Sequence, residues 1–431
     1  MNKKAVEWLY KQLPELVEKG IIPVASVDLI RNHYGSVDKN LGGRTILAMF
    51  GIIGVILVGL GISLILAHNW DQLSRMTRAL IAVGMLFVAQ ILVGLIIWFK
   101  KDNLVWAESS STFLMITIGA SIALIGQTYH LADDFSSFLL TWMLLSIPLV
   151  YLMGVTTPAL LYLIGVTTWA VSGEFVGIGQ QLIWVLLALI GPYYWKLVKR
   201  DPYANSPVIM SWILTLCIYI SFGVAFEKIL EHLHLLIYAA LFALTYFIGV
   251  IWFDGPVPAW QKPFKAIGLT GCVGLSFLLT IKDVWRSIGW DLASIESPEY
   301  LLAVSVLAVV AFLSTRVINT KTSKYLLFGT VPMVAMVGFV LLYFDISGIN
   351  ATVLFNGYLL CLSVTIILRG VQEESLGTLN IGMLMVATLI IMRFFDINFS
   401  FVVRGLVFVV LGSCFLAANW VVVRRKKEVT K

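Results

Sequence analysis

The sequence predicts an all-α polytopic transmembrane helix bundle of about 14 spans, behind a short N-terminal helical hairpin. Three observations carry this expectation. Hydrophobic residues make up 59% of the 431 positions and charged residues 13%; a soluble domain carries about 45–50% and about 25%. Apolar runs of roughly 20 residues, the length a helix needs to cross a hydrocarbon core about 30 Å thick, fill most of the chain. The basic residues sit at the ends of those runs and not in a polar module.

The elements follow in order. Residues 1–43 are mostly polar and read as a cytoplasmic helical hairpin. Val6, Leu9, Leu13, Leu16 and Val17 recur at helical spacing, Gly20 supplies a C-terminal stop, and Pro23 opens a second short helix ending near Gly35. No cleavable signal peptide is visible, so the first apolar run, Arg44 to Ala67, is expected to remain as an anchor. The bundle occupies 44–423, with spans near 44–67, 78–99, 109–127, 137–153, 158–172, 180–195, 207–225, 234–253, 264–281, 299–315, 325–344, 350–368, 379–395 and 400–423. Pro148, Gly154 and Pro158 interrupt residues 137–172, which read either as two crossings or as one re-entrant pair. A basic tail, 424–431, closes the chain.

Lipid offers the backbone no hydrogen-bond partner, so only helices and closed barrels can span it. Barrel strands alternate apolar and polar residues. The run GIIGVILVGLGISLILA at 51–67 is apolar on every side, which selects helices.

With the N-terminus inside and fourteen alternating spans, 23 of the 30 Lys and Arg residues fall on the cytoplasmic side. Arg75, Arg78, Lys228, Lys282, Arg286, Arg393 and Arg404 fall outside. This matches the positive-inside rule and places both ends in the cytoplasm. The net charge of +6 therefore reports topology, and nothing points to nucleic acid. Cys217, Cys272, Cys361 and Cys414 lie singly within apolar runs and read as small apolar residues.

Polar groups at membrane depth are costly and need a reason. Several collect at the expected outer ends of spans. The first span ends in His68-Asn69-Trp70-Asp71, and the third in Gln127-Thr128-Tyr129-His130, followed by Asp133 and Asp134. The spacing HxxD occurs twice, at 68–71 and 130–133. Such groups can cap helix ends at the water interface, relay a proton or bind a substrate, or ligate a metal. The spacing alone demands no metal and no cofactor. Gln90 lies mid-span, where an amide usually bonds to another helix. Arg393 and Asp396 share a helical face and can pair, with Arg404 across a short turn. Arg393 and Arg404 could instead hold an anion or a lipid headgroup. His232 and His234 flank the start of the eighth span.

These residues carry a resemblance. LVEKGII in the hairpin, AHNWD at 67–71 with Arg78 after it, GQTYHL at 126–131 and Trp142 resemble the bacterial membrane-protein family known as domain of unknown function 2157. The resemblance covers roughly residues 5–150. It implies a bacterial cytoplasmic membrane location and assigns no activity. It singles out His68, Asn69, Trp70, Asp71, Gln127, Tyr129 and His130 as signature positions.

Three functions stay open. One is a transporter or lipid-handling protein with an outward-facing polar cavity built by the first, third, thirteenth and fourteenth spans. It would bind substrate through the seven signature positions with Arg393, Asp396 and Arg404. The second is a non-catalytic scaffold or sensor signalling through the hairpin. The third is a membrane enzyme acting on an envelope lipid or glycan with the outer His and Asp residues. The partners are the bilayer and a small molecule, lipid or protein.

Overall fold

The computed structural model describes residues 3–34, 72–99, 103–130, 134–173, 178–288, 297–320, 323–396 and scattered positions from 402 to 420. The expected first span, 44–67, lies outside them. The chain divides into two compact units, residues 1–81 and 82–431.

In the first unit, α1 (Lys3–Glu18) and α2 (Val24–Tyr34) are joined by a turn at Gly20. Gly20 has φ 66°, its N–H donates to Val17 O at 2.9 Å, and the Ile21 N–H donates to Leu16 O at 2.9 Å. That pair of bonds is a Schellman stop, which favours glycine at the left-handed position. Leu13 is buried, and the Tyr10 hydroxyl donates to the Arg31 carbonyl at 3.4 Å.

A long helix, α3 (Arg75–Phe99), contains the boundary between the units. The second unit continues with α4 (Leu104–Tyr129), α5 (Phe135–Met153), α6 (Thr156–Ser172), α7 (Ile178–Ala188), α8 (Gly191–Arg200), α9 (Asn205–Phe226) and α10 (His234–Trp252). Then come α11 (Pro263–Leu278), the short α12 (Lys282–Ser287), α13 (Pro298–Thr320), α14 (Val331–Phe344) behind a 3-10 turn at Ser323–Thr330, α15 (Ile349–Gln372) and α16 (Leu376–Asp396). Among the described residues there is no strand. Nine of their helical segments are long and apolar enough to cross a membrane. The chain is thus an all-helical, multi-pass design.

Three expected spans are shorter or broken. Residues 158–172 fall in the 17-residue α6 and 264–281 in the 16-residue α11. The 180–195 span bends by 41° between α7 and α8. The cause is Pro192 in the first turn of α8, which has no N–H to donate and crowds a helical residue before it. Residues 137–172 form two separate helices. Gly154, at φ 65°, stops the first, and Thr156 opens the second two residues later.

Two large apolar cores hold the unit, and two smaller clusters join α15 to α16. One large core gathers α3 to α9 around Met115, Met143, Tyr162 and Leu163; the other gathers α9 to α15 around α10 and Trp285. The α10 span is the most buried of the nine, at 56%, against 17% for α3. Serines and threonines are accommodated by bonding back to the carbonyl four residues earlier, as Thr117 does to Phe113 and Thr215 to Ser211.

Where helices meet most closely, glycine makes the approach possible. A Cβ on Gly249 would stand 2.4 Å from the Lys265 backbone nitrogen, and one on Gly268 2.4 Å from that of Tyr246, locking α10 to α11. A Cβ on Gly370 would stand 2.4 Å from the Leu379 nitrogen, and one on Gly382 2.8 Å from that of Ile367, locking α15 to α16. Small residues let membrane helices gain dispersion contact where no hydrophobic drive between them exists.

Candidate functional site

The α4 helix ends at Tyr129, and His130 follows in the left-handed region, φ 49° and ψ 45°, donating its backbone N–H to the Gly126 carbonyl. Four residues on, Asp134 caps α5. Its Oδ1 accepts the Ser136 N–H at 3.0 Å, and its Oδ2 accepts the Ser137 hydroxyl. The Ser137 hydroxyl, aided by nearby backbone N–H groups, holds the Asp134 carboxyl below the usual carboxylate range. The interface-capping reading of these His and Asp residues is therefore satisfied at His130 by backbone and at Asp134 by side chain.

Capping does not use the His130 imidazole or the Gln127 amide. Both line an open cleft of about 900 Å³ between the ends of α4 and α5, with Asp134, Ser137, Thr141 and the rings of Phe135 and Phe138. The α4–α5 packing beneath is fixed by Trp142, whose indole N–H donates to Met115 O at 2.7 Å and whose ring lies where a Cβ on Gly119 would be. An imidazole, a carboxylate, an amide and hydroxyls together can hold a polar ligand by donating and accepting hydrogen bonds.

Of the other predicted positions, Tyr129 is half exposed and does not line the cleft. His68, Asn69, Trp70, Asp71 and Arg404 lie outside the described residues, and for Asp396 only the backbone is described. Arg393 is not in the cleft. Its Nη2 donates to Thr280 O at 2.9 Å and to Thr280 Oγ1 at 3.2 Å, at the end of α11. A carbonyl at a helix C-terminus lacks an intrahelical donor, and the guanidinium supplies one. Gln90 is exposed on α3 beside Tyr151 and Pro148 of α5. Among the described residues no three His, Cys, Asp or Glu side chains gather as a metal site.

Sequence reasoning missed two carboxylates. Glu108, in the first turns of α4, accepts the N–H groups of Thr156 and Thr157 at 2.9 and 2.8 Å and so caps α6. Glu299, 2% exposed at the start of α13, accepts from His232 at 3.0 Å and from Leu233 at 2.5 Å and so caps α10. Their common signal is one carboxylate in the first turns of an apolar run, where it satisfies the orphan donors of a different helix.

This fold defines the class: a multi-pass membrane protein whose described residues form helices and no strands. Within that class, the model of a family described as predicted membrane protein (DUF2157) matches residues 14–159, the stretch that carries Gln127, His130 and the cleft. No curated protein and no solved structure matches the chain.

Proposed function

We propose that the chain is a transporter or lipid-handling protein of the bacterial cytoplasmic membrane that takes its ligand at the Gln127–His130–Asp134 cleft. One observation carries this reading: an imidazole, an amide and an ionised carboxylate line one open cleft at the end of two spans. The backbone at His130 adds to it. A left-handed residue following a helix is usually glycine, and a histidine there costs on the order of 1 kcal/mol. Retaining that cost is consistent with a working side chain. The orientation we adopt has fourteen crossings, both ends and the α1–α2 pair in the cytoplasm, and the cleft outside. Its support is the asymmetry of Lys and Arg.

The test uses Gly126, which lines the cleft and where a Cβ meets nothing within 4 Å. Proteoliposomes holding wild-type protein or Gly126→Trp are loaded with a labelled cell extract, and solutes and lipids crossing the bilayer are compared. The reading requires one chemical class to move with wild type and not with the filled cleft. Identical movement for both would reject it.

A scaffold or sensor reading is favoured by one fact, that residues 1–81 form a compact unit of their own. It requires that deleting residues 1–40 abolish a cellular phenotype that Gly126→Trp leaves intact.

A further inference from the structure

A second concavity, about 660 Å³, lies in the same unit, away from the cleft. It separates the two glycine-locked helix pairs, α10 with α11 and α15 with α16. Its wall is apolar, formed by Val273 and Phe277 of α11 facing Ile381, Leu384 and Met385 of α16. Ile381 and Leu384 remain 55% and 63% exposed, so the groove opens sideways toward lipid. The Arg393–Thr280 bonds tie α16 to α11 beyond one end. At the other end the lining turns ionic, with Lys265, Arg369 and Glu373. Lys265 also reaches Asp254 at 2.8 Å, and Lys262 joins it at 3.0 Å. Burial pushes the Asp254 carboxyl up, and the two ammonium groups outweigh this and hold it below the usual range. Among the described residues these groups are three bases and two acids, a sum of one positive charge.

We infer that this groove holds one anionic phospholipid, its tail along α11 and its headgroup at Lys265 and Arg369. Two arguments select that occupant. The first is length. Lys265 and Phe277 are twelve positions apart, or about 18 Å of helix. One leaflet of a hydrocarbon core about 30 Å thick is about 15 Å deep. The groove thus runs from a polar mouth through a single leaflet and stops, as a lipid does.

The second argument is charge. A void between helices in a bilayer forfeits dispersion contact unless something apolar fills it. A lipid tail is as apolar as the wall, so the wall cannot choose one lipid over another. Choice falls to the mouth, where Lys and Arg favour an anionic headgroup. The inference stands apart from the cleft; only its assignment to the inner leaflet rests on the orientation proposed above.

Gly274 provides the test, because it lines the groove and a Cβ there meets nothing within 4 Å. The full chain is released from nanodiscs of equal phosphatidylglycerol and phosphatidylcholine, and retained lipid is counted by native mass spectrometry. Wild type should keep one lipid per chain, anionic over zwitterionic by about fivefold. Gly274→Trp should lose it, while Leu301→Trp, on an exposed face of α13, should keep it. Arg369→Gln should erase the preference and Glu373→Gln should raise it severalfold. That opposite-signed pair decides the matter if Gly274→Trp does not fold. Equal retention of both lipids by wild type, or unchanged retention by Gly274→Trp, overturns the inference. So does displacement by millimolar inorganic phosphate, which would mark a site for the free anion. A dimer that Gly274→Trp converts to monomer with lipid still retained would place a second copy in the groove instead.

Discussion

Arg393 reaches across 113 positions of sequence to Thr280, donating to its carbonyl at 2.9 Å and joining the end of α16 to the end of α11. The guanidinium is held among apolar spans, and its bonds there go to a backbone group that would otherwise lack a donor. Arg393→Gln is expected to cost about 1.5–3 kcal/mol, the range for a hydrogen bond to a charged group. Thr280→Val removes the hydroxyl contact with Arg393 and the hydroxyl's own bond to Phe277 O, leaves the Arg393–carbonyl bond in place, and should cost less than Arg393→Gln. Thermal unfolding in one detergent, with both variants, checks the order.

Glu299 gives a sharper loss. Glu299→Ala strands the N–H groups of His232 and Leu233 at the buried start of α10, at about 1–3 kcal/mol for each donor left unpaired. Glu108→Ala should do the same to α6. Hydrogen exchange should show each loss first at Ile237 or at Leu160, the amides of the uncapped first turns, and not across the bundle.

Two glycines of α11, six positions apart, should respond with opposite signs. Gly268→Ala drives a methyl into the Tyr246 backbone and is expected to destabilise by about 1–3 kcal/mol. Gly274→Ala enters open space and should stabilise by up to about 1 kcal/mol through helix propensity. Melting temperatures that moved together would refute the packing of α10 on α11.

At the cleft, stability and function should separate. His130→Gly relieves the left-handed backbone and should raise stability by up to about 1 kcal/mol while removing transport. Asp134 adds a pH signature. Its folded pKa is depressed, so the stability it contributes is fully present above its unfolded value near 3.8 and is lost as pH falls through the lower folded value. The stability gap between wild type and Asp134→Asn should be flat from pH 8 to pH 5 and close in acid, as followed by unfolding at stepped pH.

Much of the architecture is legible in the chain because lipid imposes a simple rule on composition. The run at 207–225 becomes Asn205–Phe226, and 234–253 becomes His234–Trp252. Helix ends are less legible. The α4 helix begins at Leu104, earlier than its apolar run, because Asn103 caps it through its side chain. Polar turns outside the hydrocarbon leave no hydropathy signal. Gln127 and His130 could be found because polar groups closing an apolar run stand out. The partners of Glu299 and Arg393 could not, since they depend on which spans are neighbours, and apolar runs look alike from every side. The groove was hidden for the same reason: its glycines mark close approach, but not of which helix.

In the orientation proposed above, the cleft and the ionic mouth of the groove face opposite sides of the membrane, five crossings apart from Ser137 to Lys265 and nine from Ser137 to Glu373. Single cysteines at Ser137 and Glu373, in a chain whose native cysteines are replaced by alanine, test this directly with a membrane-impermeant maleimide. The cysteine at 137 should react on intact cells and the one at 373 only after permeabilisation. Labelling of both from the same side would contradict the account.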